Sequence, residues 1–384
     1  MADFSEQFSN RVLKGILKYS QQSDDPWVVC KMPLFIGRSR NFKALTAWAK
    51  KWKADIVLAP FNPSDKVEDF RKMGIAAIAL DNISPFESIP NLTADYGRMG
   101  EMAAEQFHRM GLRNFAFFGY KGVCWSDGRR RGFVDYLKSA GCQENYYEWE
   151  RIKTDTLWSY DEARLGKWLQ SLPKPIGIMA CDDNQANIIL ECCRVFGISV
   201  PLDVAVIGVD NDEVLCSMTD PQLSSIDVDL EGGGYALAAM AEKMVKDPSY
   251  PGEDIVLKPV GLVQRMSSSM VATSDDRVSA AISFITQNVK KRISVADVLE
   301  QVPMSRRSLE QHFQKAVGTS VYEFISRIRI EYLAQQLLAS TEPVAALAAK
   351  MDEPDAKSIS RRFAAIKGCT PTEYRRRHLR KLGV

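Results

Sequence analysis

Three pairs of carboxylates stand close together in this chain: Asp182-Asp183, Asp210 with Asp212, and Asp227 with Asp229. Such pairs could hold a metal ion or run acid and base chemistry, but either use needs partners. The sequence supplies none. Of the three histidines, His312 and His378 lie near the C-terminus, and His108 sits in an amphipathic stretch that suits packing or surface exposure. There is no GxSxG, no GK[ST] phosphate loop and no GxGxxG after a strand. The glycine-rich "EGGGY" at 231–235 lacks the Lys-Ser/Thr that a phosphate loop requires. Eight cysteines are scattered without a CxxC, and read as reduced, mostly buried thiols of a cytoplasmic protein. No catalytic set, cofactor or metal is expected.

The acids and one arginine run suit another task. Asp183 follows "IGIMAC" and Asp210 ends "VAVIGVD", so both fall at the C-terminal ends of strands, where open α/β sheets bind ligands. Carboxylates there accept paired hydrogen bonds from vicinal hydroxyls. "CWSDGRRRGF" at 124–133 adds a tryptophan face and a guanidinium with several fixed donors. Asp183 could equally cap the following helix, whereas ligand contact is the favoured role for Asp210.

These residues must be positioned by a large scaffold. A chain of 384 residues exceeds one ordinary core, so two or three domains are expected. From residue 27 to about 265, apolar runs ("WVVCKM", "DIVLA", "IAAIAL", "FAFFG", "IGIMA", "VAVIGVD") alternate with helical patterns. That rhythm predicts βαβ units and doubly wound parallel sheets in two lobes around a cleft. Residues 266–275, polar and small, read as a linker. From 276 to 384 every pattern is helical. Counted from Asp275, this part carries 19 Lys+Arg against 12 Asp+Glu, whereas the remainder carries 31 against 36. A basic α domain on an acidic body points to nucleic acid. No apolar run approaches membrane-spanning length, and the N-terminus lacks the order of a signal peptide.

Within the α domain a short helix, a tight turn and a basic helix occur twice. Ser294 and Ser305 are candidate helix caps, with Asp297 in the first turn of the helix that Ser294 opens. Leu309, Phe313 and Val317 form a buried stripe, leaving Arg306, Arg307, Glu310 and Gln311 outward. The second unit is expected to bury Ile359, Phe363 and Ile366 and to expose Ala356, Lys357, Ser360 and Arg361. A short supporting helix under a basic, amide-bearing helix is a helix-turn-helix, whose side chains suit base edges and phosphates.

"SRRSLEQHFQKAVGTS", "RIRIEYLAQQLL" and "RRFAAIKGCTPTEYRRR" resemble the paired helix-turn-helix domain of AraC/XylS-type regulators over about residues 276–378, with the closing G-x-T-P-x-x-Y-R the most specific element. The resemblance implies two recognition helices in successive major grooves, with Arg307, Glu310 and Gln311 reading in the first unit and Ala356, Lys357, Ser360 and Arg361 in the second. One departure stands out: Asp352-Glu353 replaces the usual Gly-aromatic pair of the second turn. Two acids beside the second recognition helix are expected to weaken its phosphate contacts.

The body, residues 1–265, resembles the sugar-sensing, periplasmic-binding-protein-like domains of LacI/GalR-type regulators. "ADYGRMGEMAAEQFHRMGLRNFAFFG" carries an imperfect form of that family's D-x-x-x-G pattern, with Asp95 at the acidic position. "RRRGF" carries its R-x-x-G-F signature and "GVDND" its acid. By that likeness the effector site holds Arg129, Asp210 and Asp95, with Trp125 four residues before the arginine, and Asp183 joins them from its place at a strand end. Sensors of this kind open with a strand, a ligand-contacting loop and a helix. Here "MADFSEQFSN" reads as the loop and "RVLKGILKYSQQ" as the helix, so the first strand is missing and the native chain is expected to start upstream of Met1. Asp3, Phe4, Phe8 and Asn10 then become candidates for the ligand wall. The implied function is sugar-responsive transcription regulation with no enzymatic activity. The effector would be D-xylose or a related pentose, with a uronic acid or disaccharide as the alternative. The implied partners are an operator duplex, a second copy of the chain and RNA polymerase, and no membrane. The rival reading is an α/β sugar-binding protein or enzyme with a helical interaction domain.

Overall fold

Parallel strands buried on both faces dictate the first two-thirds of the chain. The computed structural model describes residues 6–30, 42–80, 83–152, 161–269, 275–353 and 355–381. In the first lobe β1 (Ile56–Ala59), β2 (Ala76–Leu80), β3 (Asn91–Ala94) and β9 (Ile255–Leu257) pair in that order, all parallel. The second lobe has six strands ordered β10-β8-β7-β6-β4-β5. These are β4 (Asn114–Lys121), β5 (Tyr146–Ile152), β6 (Ile176–Ala180), β7 (Val204–Val209), β8 (Ser224–Val228) and β10 (Pro259–Val263), with only β10 antiparallel to its neighbour. Strands β6 and β7 are buried at every residue, which is why they read as unbroken apolar runs.

Helices cover both faces of each sheet. α1 (Glu6–Ser20) and α9 (Leu230–Lys246) lie on one face of the first sheet, and α2 (Phe42–Lys51) and α3 (Glu68–Lys72) on the other. The second sheet is covered by α4 (Tyr96–Arg109) and α5 (Cys124–Ser139) on one face. α6 (Glu162–Ser171) and α7 (Asp183–Val195) cover the other, and α8 (Glu213–Met218) follows β7. The chain crosses between lobes after β3, after β8 and between β9 and β10, so the lobes share a hinge.

Two readings of the N-terminal region are corrected. The helix begins at Glu6, not after Asn10, because the apolar stripe of Val12 and Ile16 extends back one turn to Phe8. Trp27–Cys30 of "WVVCKM" form no strand, and Val28 is 88% exposed. A β-branched run needs a ladder partner, and none lies beside it among the described residues.

The expected linker, 266–275, is also corrected at both ends. Met266–Ser268 form a buried 3-10 turn anchored to the second sheet. Ser267 N donates to Gln222 O at 2.9 Å, and Ser267 Oγ donates to Val206 O at 2.7 Å. Small polar residues here satisfy strand backbone rather than solvate a loose chain. At the far end, Asp275 caps α10 (Asp276–Gln287).

The α domain continues with α11 (Val295–Leu299), α12 (Arg306–Val317), α13 (Val321–Ala339), α14 (Val344–Ala349), α15 (Ala356–Lys367) and α16 (Pro371–Lys381). Ser294 with Asp297 forms a capping box, and Ser305 caps α12 as expected. α13 serves two cores. Val321, Phe324, Ile325 and Ile328 pack with α10–α12, whereas Ile330, Leu333, Ala334 and Leu337 pack with α14 and α15. Ile366, expected in the second core, is 40% exposed, since α15 turns only Ile359 and Phe363 fully inward.

All seven tryptophans precede residue 170. Leu333→Ala, which empties a fully buried site, is therefore expected to cost about 2–5 kcal/mol in the α domain alone. Far-UV circular dichroism should show an earlier helical transition, while the tryptophan-fluorescence transition of the two-lobed body stays in place.

Candidate ligand-binding cleft and nucleic-acid interface

Arg129 reaches the interlobe cleft because two helices touch backbone to backbone. A Cβ on Gly100 of α4 would lie 1.9 Å from Arg129 O, and one on Gly132 of α5 would lie 1.9 Å from Gly97 O. Only glycines permit this approach, which explains the Gly of "RRRGF". The Arg129 guanidinium is 5% exposed and lies over the rings of Trp125 and Tyr96, 5.5 and 5.7 Å from their centroids. Its Nη2 pairs with Asp210 Oδ1 at 3.1 Å, and its Nη1 donates to Cys181 O. Nε has no protein partner among the described residues. Burial works against the charge on Arg129, but Asp210 and other neighbours outweigh it, so the guanidinium stays protonated.

Asp210 and Asn211 both adopt positive φ, 98° and 49°. Non-glycine residues in such conformations cost about 1–3 kcal/mol each, and cluster where geometry serves binding. The turn is held by Arg11, which donates to Asp210 O at 2.8 Å and to Asp227 Oδ1 at 3.1 Å, and by Ser225 Oγ, which accepts from Asn211 N at 3.0 Å.

The cleft between the lobes is partly open and lined by both polar and apolar side chains. Its polar wall is Thr93, Tyr96, Arg129, Asp182, Asn184 and Asp210. Its apolar wall is Phe8, Leu92, Ala94, Met99, Trp125, Val228, Leu230 and Leu257. Four residues of the sequence reading thus meet here: Phe8, Trp125, Arg129 and Asp210. Others do not. Asp95 is exposed and caps α4 by accepting from Arg98 N at 3.0 Å. Asn10 is exposed on α1, and Asp3 and Phe4 lie outside the described residues.

Asp183 also belongs elsewhere. It is buried behind the cleft, where its carboxylate accepts from Ser225 Oγ at 2.6 Å and from Asp212 N at 2.8 Å. Burial, and then the charge of Asp210, push its pKa well up. The acid facing the cleft is Asp182. The spacing Asp182-x-x-Gln185 is a helix-start signature that makes Asp182 the cap of α7, with its Oδ1 accepting from Gln185 N at 2.8 Å. That signature was legible in the sequence. Tyr96 and Asn184 carried no comparable sign. Arg130 and Arg131 serve no cleft role: Arg130 pairs with Glu148 at 3.5 Å, and Arg131 is exposed.

Burial raises the Asp182 pKa to about 6 from 3.8, with Asp210 adding to the shift. Well below pH 3.8 the group is protonated folded or unfolded and contributes nothing. As pH rises from about 4 to 6, the unfolded chain ionises while the folded site resists, so stability falls and stays lowered above 6. The penalty is at most about 3 kcal/mol. Asp182→Asn keeps the cap and removes it. Its melting temperature should exceed that of the unmodified chain at pH 8 and approach it at pH 4.

On the α domain, Arg306, Arg307 and Gln311 of α12 are exposed side by side, as are Lys357 and Arg361 of α15. Ala356 and Ser360 are half-buried on the same helix, and Ser360 Oγ donates to Ala356 O at 2.6 Å. Glu310 is corrected: its Oε2 accepts from Val321 N at 3.2 Å, so it caps α13 rather than facing outward. The expectation for Asp352-Glu353 changes as well. Asp352 takes φ 52°, the conformation a glycine would adopt, but Glu353 turns inward and is 7% exposed.

Among the described residues no three or more His, Cys, Asp or Glu are grouped to hold a metal ion, and no helix is long and apolar enough to cross a membrane.

The periplasmic binding protein-like domain family matches residues 104–268, and a helix-turn-helix domain family matches residues 298–377. Fold and matches together define a class: a transcription regulator that joins a two-lobed, periplasmic-binding-protein-like domain to a helix-turn-helix domain. Within it, the chain is similar to the xylose operon regulatory protein of Escherichia coli K12, 25% identical over 378 residues that span 97% of this chain and 94% of that protein. The xylose operon regulatory protein of Haemophilus influenzae is 27% identical over 342 residues, 87% of this chain and 86% of that one. The solved structure of a xylose-binding transcription activator superposes with a TM-score of 0.74 at 23% identity, covering 97% of this chain and 96% of that chain. A LacI family regulator from Enterococcus faecium with bound ribose matches with a TM-score of 0.59 at 17% identity, covering 71% of this chain and 98% of that one.

Proposed function

We propose that this regulator senses a neutral sugar, D-xylose or a related pentose, in the cleft around Arg129, and thereby changes its affinity for operator DNA. The observation that carries the reading is the buried Arg129–Asp210 pair flanked by Trp125, Tyr96 and Asp182. A guanidinium and two carboxylates offer donors and acceptors to neighbouring hydroxyls, and the aromatic faces cover C–H groups. The similarity to two xylose operon regulatory proteins supports a pentose. The arrangement disfavours a uronic acid: Asp182 and Asp210 both line the cleft, and the one arginine lining it among the described residues is already paired, so an added anion meets net repulsion.

Sugar bound between the lobes favours their closed arrangement, and the α domain responds because ligand and DNA prefer different arrangements of one chain. The regulator works as a homodimer on paired half-sites in the cytoplasm, with RNA polymerase as a further partner at the promoter.

Calorimetry with D-xylose, L-arabinose, D-ribose and D-glucuronate tests the effector. A pentose should bind, glucuronate should not, and Arg129→Ala and Asp210→Asn should each weaken pentose binding by about 100-fold or more, two or more charged hydrogen bonds being lost. Tight glucuronate binding, or unchanged affinity in both variants, refutes the site. On DNA, affinity should fall steeply with salt, because several phosphates are neutralised. It should also differ with and without the pentose.

A further inference from the structure

We propose that Glu353 is a positioning residue for DNA recognition: a buried carboxylate that locks the second recognition helix onto the long helix joining the two helix-turn-helix units. Its Oε2 lies 2.5 Å from Arg362 Nη2 on α15 and 3.3 Å from Arg329 Nη2 on α13. The side chains of Arg329 and Glu353 are 4% and 6% exposed. Arg329 extends the link in two further directions. Nη2 donates to Met351 O at 2.7 Å, at the end of the supporting helix, and Nη1 donates to Lys291 O in the first unit. One carboxylate and one guanidinium therefore tie together the first unit, the shared helix, the turn of the second unit and the second recognition helix.

The turn is built to deliver this carboxylate. Asp352 takes the left-handed conformation at φ 52°, which swings Glu353 back under the helix, where its N–H donates to Ala348 O at 3.0 Å. Arg362 is held on the inner side of α15, and its neighbours Arg361 and Lys357 are left exposed on the outer side. Rotation of α15 about its axis would break the Arg362 contact, so the contact fixes which side chains face outward. Burial lowers the Arg329 pKa and Glu353 opposes that shift, so the acid offsets part of the cost of burying the guanidinium. A buried charge stripped of its partner is strongly unfavourable, which makes the arrangement all-or-none.

The proposal rests on the DNA-binding reading, and the test separates the two. Duplexes that bind the unmodified full-length chain are first selected from a random-sequence pool. Failure to enrich any sequence counts against DNA reading itself. Footprinting on the selected duplex then compares Glu353→Gln with the unmodified chain. Charge alone predicts that Glu353→Gln binds more tightly, since a negative charge is lost and an arginine freed. Positioning predicts the opposite: affinity about 10-fold or more weaker, with protection lost over the segment covered by the second unit and kept over the first. The calorimetric response to pentose should be unchanged. Equal or tighter binding overturns the proposal, and so does an equal loss over both segments. Should Glu353→Gln lose helix content by circular dichroism, Arg362→Gln carries the test, since it frees α15 while leaving Glu353 paired with Arg329. It must lose the same segment, and full protection by it overturns the proposal.

Discussion

A guanidinium that is 5% exposed can stay charged only if its surroundings supply acceptors, and much of the sensor is organised to do so for Arg129. Asp210 supplies one, at the price of a φ of 98°, and Cys181 O supplies another. The strained turn must then be braced. Arg11 holds it from the first lobe, Ser225 from β8, and Asp183 by accepting from Asp212 N. The glycine contact between α4 and α5 sets the helix that carries the arginine. The acids that first suggested catalysis thus divide by task. Asp182 and Asp210 face the cleft, Asp183 holds the turn from behind, and Asp212, Asp227 and Asp229 cap helices or pair with Arg11.

The same turn lies close to the sensor's exit. Asn211 accepts from Arg265 Nη2 at 2.8 Å, and Arg265 Nη1 donates to Leu223 O at 2.8 Å. The next residues, Met266–Ser268, are bound to strand backbone, and Met266 also packs in the first core of the α domain. Asn211, next to the cleft acid, is therefore one side-chain contact from Arg265, the residue that precedes this buried anchor.

Much of this was legible in the sequence. Strands of largely buried residues announce themselves as apolar runs, so β2, β4, β6 and β7 could be read directly, and β1 followed from its run of apolar residues. Short strands such as β3 and β9 carry too few residues for a pattern, and they escaped notice. Arg129, Trp125 and Asp210 followed from strand ends and a signature. The choice between Asp182 and Asp183 depended on helix phase, which a one-residue shift reverses. The serine-rich stretch misled because composition cannot tell a solvated hydroxyl from one that satisfies a buried strand.

The α domain shows why an acid near a DNA-reading helix need not oppose DNA. Its two units share α13, and a helix that packs into separate cores on either side has no spare face with which to fix the angle between them. Apolar contacts set distance well but tolerate rotation, since they are non-directional. Hydrogen bonds from a planar guanidinium do not tolerate it. Arg329 and Glu353 supply that directionality where the two cores meet, and they can do so only if the carboxylate is buried away from the exposed basic side of the helix. The second unit's acidic turn is thus compatible with a basic reading face, because its one buried acid is committed to arginines of its own domain.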